Sequence, residues 1–580
     1  MEAATTEQDH PPVEGVSSFA KSLFLGEIHE EIVFPYPLPD PGEQDKIRAL
    51  TGSLREWAED YDPYEVEEKR WIGDGNIKTL GERGILGLYI PEEYGGQGLS
   101  QMGYCRVSEV FAQIDATLSV IMGVHQSIGM KGIHLFGTDD QKGRFLPDLA
   151  SGRKLAAFAL TEPNAGSDVH GMETVAEKQA DGSWRLDGVK HYIGNGSKAD
   201  VLVTFAKTGE RHTAFILEKG MKGLEVGHRF DTMGLLGNDL RRLEFKGIRV
   251  PPENVLGEPG DGFKIAMHIL NTGRLSLGTG SVGGAKRLLD LTIDHVRERK
   301  QFGIPLADFE LVQDKVGWMV SYLFGLESMA YLTPALVDMG VPDYSLESAI
   351  CKVSGTEFLW YAANRALQLK GGAGYMKDEP YEKTLRDIRI FPIFEGANDV
   401  MRAFIALTGM KPLGEELEGF SDISWNDPIG TIGVLADYVG GRAQRAVRPD
   451  SITMAHPELK SLSDPLTDQV KRLRDVSEGL LRKHGKEIMV RQFQQKRLAD
   501  AVSDIYAQIA VLSRVSSIYA EHGVEPSGQE HYIAETFCTR AAQRVNGQLD
   551  QVEHNDDERM IAISKLAYKR GEYGYAFFED

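Results

Sequence analysis

The 580-residue sequence is poor in cysteine: Cys105, Cys351 and Cys538 stand far apart, with no C-x-x-C spacing. That scarcity argues against a disulfide framework or a structural zinc site and suits a reducing compartment. No run of about 18 apolar residues occurs, so no segment reads as a membrane-spanning helix. Basic residues are in deficit, 64 Lys and Arg against 86 Asp and Glu, and the formal charge of −22 argues against a general nucleic-acid binder. Residues 1–13 are polar and carry Glu2, Glu7 and Asp9, the wrong charge for a signal or transit peptide, so a cytoplasmic location is expected. There is no G-x-S-x-G, no H-E-x-x-H and no G-x-x-x-x-G-K-[ST], and His29-Glu30-Glu31-Ile32-Val33 lacks the second histidine. Hydrolase, zinc and ATPase readings therefore find no support.

What is present is the composition of an ordinary globular chain, 42% hydrophobic and 26% charged, long enough for several cores. Residues 1–42 read as an arm, polar and then Pro-spaced through Phe34-Pro35-Tyr36-Pro37-Leu38-Pro39, which cannot be a helix interior. A helical period runs over 43–153, where Ile47, Leu50, Leu54 and Trp57 recur at steps of three and four. Over 154–252 short strand-like segments (184–186, 191–193, 201–206, 213–217 and 243–245) alternate with Asp-Gly and Asn-Gly turns, the pattern of a small β-domain. Helical periodicity returns over 253–415. Within it Gly278, Gly280 and Gly283 satisfy G-x-G-x-x-G literally, but a helical pattern runs straight through and the position twenty past Gly283 is Gly303, so close helix packing is the reading. A Gly- and Pro-rich linker follows at 416–460. Its stripe Ile429, Ile432, Leu435, Tyr438 and Val439, with Arg442, Arg445 and Arg448, suits a membrane-surface helix (429–448) or one docked on its own protein. A C-terminal helical domain is expected over 461–580.

One stretch reads either as a surface Glu in a loop after a buried run or as a catalytic carboxylate: Arg389-Ile390-Phe391-Pro392-Ile393-Phe394-Glu395-Gly396-Ala397-Asn398-Asp399. Apolar neighbours raise the cost of ionising Glu395 and so bring it toward the pKa of a general base, while Gly396 lets another molecule approach the backbone. Polar small-residue loops at 161–167, 192–196 and 369–374 suit a phosphate-bearing or planar cofactor held by backbone N–H groups. Arg299 and Phe302 suit a diphosphate and an adenine face, and each of these features taken singly also reads as a plain loop or a solvated charged face.

Several of these motifs, taken together and in order, make the chain resemble the acyl-CoA dehydrogenase family and most closely its very-long-chain branch. They are Ala157-Phe158-Ala159-Leu160-Thr161-Glu162-Pro163-Asn164-Ala165-Gly166-Ser167-Asp168, Met267-His268-Ile269-Leu270-Asn271-Thr272-Gly273-Arg274, Arg299-Lys300-Gln301-Phe302-Gly303, Gln368 with Gly371-Gly372, and Arg386-Asp387 through Asp399. The resemblance implies a mainly α fold: an α-domain, a small β-barrel-like domain, an α-bundle and a further C-terminal helical domain. It implies FAD as cofactor, acyl-CoA as substrate, an electron-transfer flavoprotein as acceptor, a homodimer, and peripheral membrane contact through 429–448, which would seat the protein on the inner face of a membrane.

Carried over by residue, the resemblance makes Glu395 the base for α,β-dehydrogenation of long- or very-long-chain acyl-CoA to the trans-2-enoyl-CoA, with its own backbone N–H and a ribityl hydroxyl stabilising the enolate oxygen. Phe158, Leu160, Thr161, Gly166, Ser167, Tyr192, Ile193, Gly194, Ala397 and Asp399 are expected around the flavin. Arg299, Gln301, Phe302, Gln368 and Gly372 are expected at its diphosphate and adenosine, partly across the dimer. Ser167, Asn271, Arg274 and Gly396 are expected at the substrate. The chain departs from the family pattern at Tyr192, Gly194 and Ala397, where Trp and two hydroxyl residues are usual. Gly123 is expected either to leave room for a long acyl tail or to serve helix packing. Two other readings compete: an oxidase of the same fold that uses oxygen, and a non-catalytic assembly scaffold.

Overall fold

The structure, a computed structural model, describes residues 16–417 and 451–575. The expected surface helix at 429–448 lies outside the described residues. The chain opens with α1 (Phe19–Phe24), α2 (Pro41–Ala58), α3 (Pro63–Lys69), α4 (Asp74–Glu82), α5 (Gln101–Ile114), α6 (Ala116–Gly123), α7 (Lys131–Phe136) and α8 (Asp139–Ala150). Local signals start several of them. Pro41 opens α2 behind Asp40, whose carboxylate accepts from the N–H groups of Gly42 and Glu43. Thr138 and Gln141 close a capping box on α8. Between α6 and α7 the helix widens into a π turn, Val124–Met130, a geometry that recurs at functional sites.

The arm is not extended throughout. Residues 19–24 are helical because Ser18 and the Ala20 N–H both donate to Glu347 Oε1, at 2.8 and 2.7 Å, across 327 residues or more of sequence. Six residues are too few to show a period, so the tertiary partner, which no sequence pattern announces, decides this element.

The β-domain is one eight-stranded sheet. Its strands are β1 (Ala156–Ala159), β2 (Val175–Lys178), β3 (Trp184–Ile193), β4 (Val201–Thr208), β5 (Arg211–Glu218), β6 (Leu224–Arg229), β7 (Arg241–Val250) and β8 (Val255–Leu256). The order is β6-β7-β3-β2-β4-β5-β8, with β1 parallel to β4 and Phe158 opposite Val203. β2 and β6, largely solvent-facing, escape the sequence pattern because an exposed strand shows no apolar alternation.

The second helical region holds α9 (Gly262–Glu298), α10 (Glu310–Asp338), α11 (Ser345–Lys370), α12 (Pro380–Ile388) and α13 (Asn398–Glu416). The glycine-rich segment lies inside α9 and serves packing. A Cβ on Gly283 would stand 2.1 Å from Glu109 O of α5, and one on Gly278 3.2 Å from Cys351 Cβ of α11. The C-terminal region holds α14 (Lys460–His484), α15 (Gln492–His522), α16 (Gln529–Asp550) and α17 (Asp557–Arg570). It is tied to the rest by ion pairs Arg402–Asp500 (2.7 Å) and Arg514–Glu327 (2.9 Å), and the arm crosses the seam, Tyr36 donating to Ser517 Oγ and to Ser328 O. Among the described residues no helix is long and apolar enough to cross a membrane.

Candidate active site

The turn between α12 and α13 carries Glu395. Phe394 N–H donates to Ile390 O and Asn398 N–H to Pro392 O. Two left-handed residues in succession, Glu395 at φ +55° and Gly396 at φ +94°, swing the carboxylate inward. Such a conformation at a glutamate persists only where its surroundings hold it. Here two buried cations do so. Arg274 Nε donates to Glu395 O at 3.3 Å, and Lys352 Nζ donates to Gly396 O and to Asn398 Oδ1, both at 2.7 Å. Asn271 accepts from Arg274 Nη1 at 2.8 Å and orients it.

The carboxylate itself is poorly solvated. Oε2 is enclosed and has no hydrogen-bond partner among the described residues, and a Cβ on Gly273 would come within 3.2 Å of it. Burial raises the Glu395 pKa above the ordinary carboxylate value, while the charges of Arg274 and Lys352 hold it back. Burial likewise pushes Lys352 down to about 7 and Arg274 to about 10. The arrangement suits a general base: a proton acceptor short of solvent and beside stabilising charge.

Glu395 faces a cavity of about 760 Å³ between the β-domain and the second helical region. Its wall includes Phe158, Leu160, Thr161, Gly166, Ser167, Tyr192, Ile193, Gly194, Arg274, Gly396 and Ala397. These segments converge because β1 ends at Ala159 and delivers the 160–171 loop beside the end of β3. A buried ion pair fixes that loop: Lys190 Nζ donates to Glu162 Oε1 at 2.7 Å and to Leu160 O at 3.1 Å, and Glu162 also accepts from the N–H groups of Glu173 and Thr174. Burial works against the Glu162 charge, yet Lys190 and these donors keep its pKa low. At Gly194 a Cβ would meet Val124 Cγ2 at 3.1 Å, so the π turn occupies the space that a side chain there would need.

Asn271 and Asp399 lie outside this cavity, and so do Arg299, Gln301, Phe302, Gln368 and Gly372. Arg299 follows the far end of α9, about 37 Å beyond Arg274 at the helical rise, and Phe302 beside it is 95% exposed. Sequence reasoning missed Lys352, Gly273, Val124, Asn238 and Phe404. Lys352 carried a signal, a lone cation in the apolar run Ala349-Ile350-Cys351-Lys352-Val353. The others carried none, since their importance lies in what they meet across the fold.

Four family models match the chain: "Acyl-CoA dehydrogenase, N-terminal domain" over residues 44–153, the middle domain over 157–248, the C-terminal domain over 260–409, and "ACAD9/ACADV, C-terminal domain" over 457–573. The human mitochondrial very long-chain specific acyl-CoA dehydrogenase is 38% identical, over 96% of this chain and 88% of its own length. A probable acyl-CoA dehydrogenase of Bacillus subtilis is 33% identical over 84% of each. Among solved structures, an acyl-CoA dehydrogenase from Bacillus anthracis complexed with FAD superposes with a TM-score of 0.80 at 29% identity, over 96% of both chains. Butyryl-CoA dehydrogenase from Megasphaera elsdenii superposes with a TM-score of 0.60 at 33% identity, over 63% of this chain and 97% of its own.

The cavity fits the flavin of FAD. It is large enough for a planar ring system, its walls alternate apolar faces with loop backbone, and Asn238 Oδ1 on its wall is buried without a partner, ready to accept from a bound group. The chain therefore belongs to the acyl-CoA dehydrogenase family and is an FAD-dependent enzyme of it.

Proposed function

We propose that this dehydrogenase acts on long- or very-long-chain acyl-CoA, the first step of fatty-acid β-oxidation, and passes its electrons to an electron-transfer flavoprotein. The observation that carries the chemistry is the unpartnered Glu395 Oε2 at the junction of two spaces. Glu395 takes the proton from the carbon beside the thioester carbonyl, and the Cα–Cβ double bond forms as the β-hydrogen leaves with its electron pair. FAD, when bound, supplies the acceptor for that hydride. The α-proton is too weakly acidic for a carboxylate in water. The Glu395 N–H stands outside the turn's own hydrogen bonds and serves as donor to the thioester oxygen, and exclusion of water strengthens it.

Chain length is supported by the relatives' names, by the C-terminal domain, and by a narrow second cavity. That cavity continues past Glu395 between α5, α6 and α9, where Gly123 and Gly280 contribute no side chain. The distance between the Arg299 group and the flavin cavity supports a homodimer, in which one protomer's Arg299, Gln301, Phe302, Gln368 and Gly372 serve the FAD of its partner. Retention of Glu395 speaks against a scaffold.

The test is anaerobic flavin bleaching across acyl-CoAs of increasing length. Bleaching that strengthens with length is expected from the native protein. Glu395→Gln is expected to keep its yellow colour and lose bleaching; near-normal bleaching in that variant refutes the assignment of the base. Release of hydrogen peroxide in air during turnover refutes the flavoprotein acceptor in favour of an oxidase.

A further inference from the structure

The narrow cavity of about 60 Å³ shares Val120, Val124, Ile128, Phe394 and Glu395 with the large one, so it leads inward from the base. One wall is a single face of α9, with Gly273, Ser276, Leu277 and Gly280 at steps of three and four, about 10 Å from first to last. The facing wall is one side of α5, with Tyr104, Ser108 and Phe111.

A space meant only for methylenes would be lined by hydrocarbon, because a buried hydroxyl facing an alkyl chain loses its hydrogen bond. This space is lined by five hydroxyls. Ser127 and Ser276 are already satisfied, donating to Gly123 O at 2.8 Å and Gly273 O at 2.9 Å. Ser119 Oγ points at Gly280, whose Cβ would stand 3.5 Å away. Ser108, 5% exposed, keeps its Oγ enclosed with no partner at hydrogen-bonding geometry. The phenol of Tyr104, itself 1% exposed, is within hydrogen-bonding reach of Ser108, Ser127 and Ser276, though it makes no well-formed bond to Ser108 Oγ. Hydroxyl groups thus line an otherwise apolar passage, and Ser108 Oγ among them makes no well-formed hydrogen bond.

We propose that this passage is a tail subsite for acyl chains bearing an oxygen function, a hydroxyl or an ether oxygen, beyond the reacting carbons, recognised by Ser108 and Tyr104. The proposal rests on the acyl-CoA reading above. It deepens that reading from chain length to the chemistry of the tail.

The experiment uses the holoenzyme and acyl-CoAs of one length, unsubstituted or carrying one hydroxyl moved carbon by carbon along the chain. The expected result is one hydroxyl position whose kcat/KM matches or exceeds that of the unsubstituted substrate, with neighbouring positions at least about tenfold worse. Ser108→Ala, and independently Tyr104→Phe, are expected to lower the ratio of that position to the unsubstituted substrate about tenfold. If the unsubstituted substrates turn over but no hydroxyl position is preferred, the tail subsite is overturned and bound water serves these hydroxyls, for which the space suffices. A preference that survives in both variants overturns the assignment of these two residues. If no acyl-CoA turns over at all, the dehydrogenase reading fails and the subsite with it.

Discussion

Lys352→Met is the substitution that separates a held base from a merely buried one. Lys352 is fully buried and lies 44 residues from Gly396, whose carbonyl it binds. Its removal leaves two acceptors, the part-buried Gly396 O and the buried Asn398 Oδ1, without their charged donor. Hydrogen bonds from charged groups contribute about 1.5–3 kcal/mol each, and Asn398 Oδ1 keeps only a long contact from Thr356 Oγ1 at 3.5 Å. A loss of stability of about 3 kcal/mol is therefore expected. The left-handed Glu395 and Gly396 lose one of their two anchors, and a displacement of about 1 Å costs on the order of a hundredfold in rate.

The second readout is electrostatic. With Glu395 as the proposed base, turnover needs it ionised, so kcat/KM is expected to fall on the acid side as the carboxylate is protonated. Burial raises that pKa and Lys352 lowers it. Below about 7, Lys352 is cationic and supports the carboxylate. Without it, the acid limb moves to higher pH. The assay is the pH profile of kcat/KM under saturating electron acceptor, with FAD content checked by absorbance. An unmoved limb with kcat within about twofold of native refutes the reasoning, because an anchor and a charge would both have been removed without effect.

Glu162→Gln leaves the Lys190 ammonium buried without its counter-charge, both side chains being at most 2% exposed. A stability loss of about 3–5 kcal/mol in urea denaturation is expected, with substantial recovery in the Glu162→Met/Lys190→Met double variant. Gly194→Thr is expected to weaken FAD retention because its Cβ meets Val124, and Val124→Ala in the same chain is expected to restore it; additive losses in the pair would show that the contact is not the cause. Gly273→Val drives a side chain toward Ile128 and Glu395 Oε2, at 2.9 and 3.2 Å from its Cβ, and at least a tenfold fall in kcat with FAD retained is expected from stopped-flow reduction.

The legible parts of the protein are those whose cause is local. The change from a period of 3.6 to one of 2 and back marks the helical and β regions because each face must be buried by its own chain segment. Where no face is buried, as in β2 and β6, or where six residues depend on a distant carboxylate, as in α1, the pattern is silent. The base is conspicuous for a similar reason, since Ile390, Phe391, Ile393 and Phe394 around Glu395 announce an apolar setting for a charge.

The sequence alone determined that a carboxylate would be desolvated, that the loops at 161–167 and 192–196 would be rich in backbone donors, and that the glycines at 278, 280 and 283 would sit in a helix. Only the tertiary structure decided what that carboxylate faces. It brought Lys352 of α11 and Arg274 of α9 onto two consecutive carbonyls of one turn, set Gly273 against Oε2, and placed Ser108 of α5 on the wall of the passage beyond it. The physical reason is that desolvation follows from a residue's neighbours in the chain, whereas hydrogen bonds and close contacts follow from neighbours in space, which the packing of α5, α9 and α11 alone brings together.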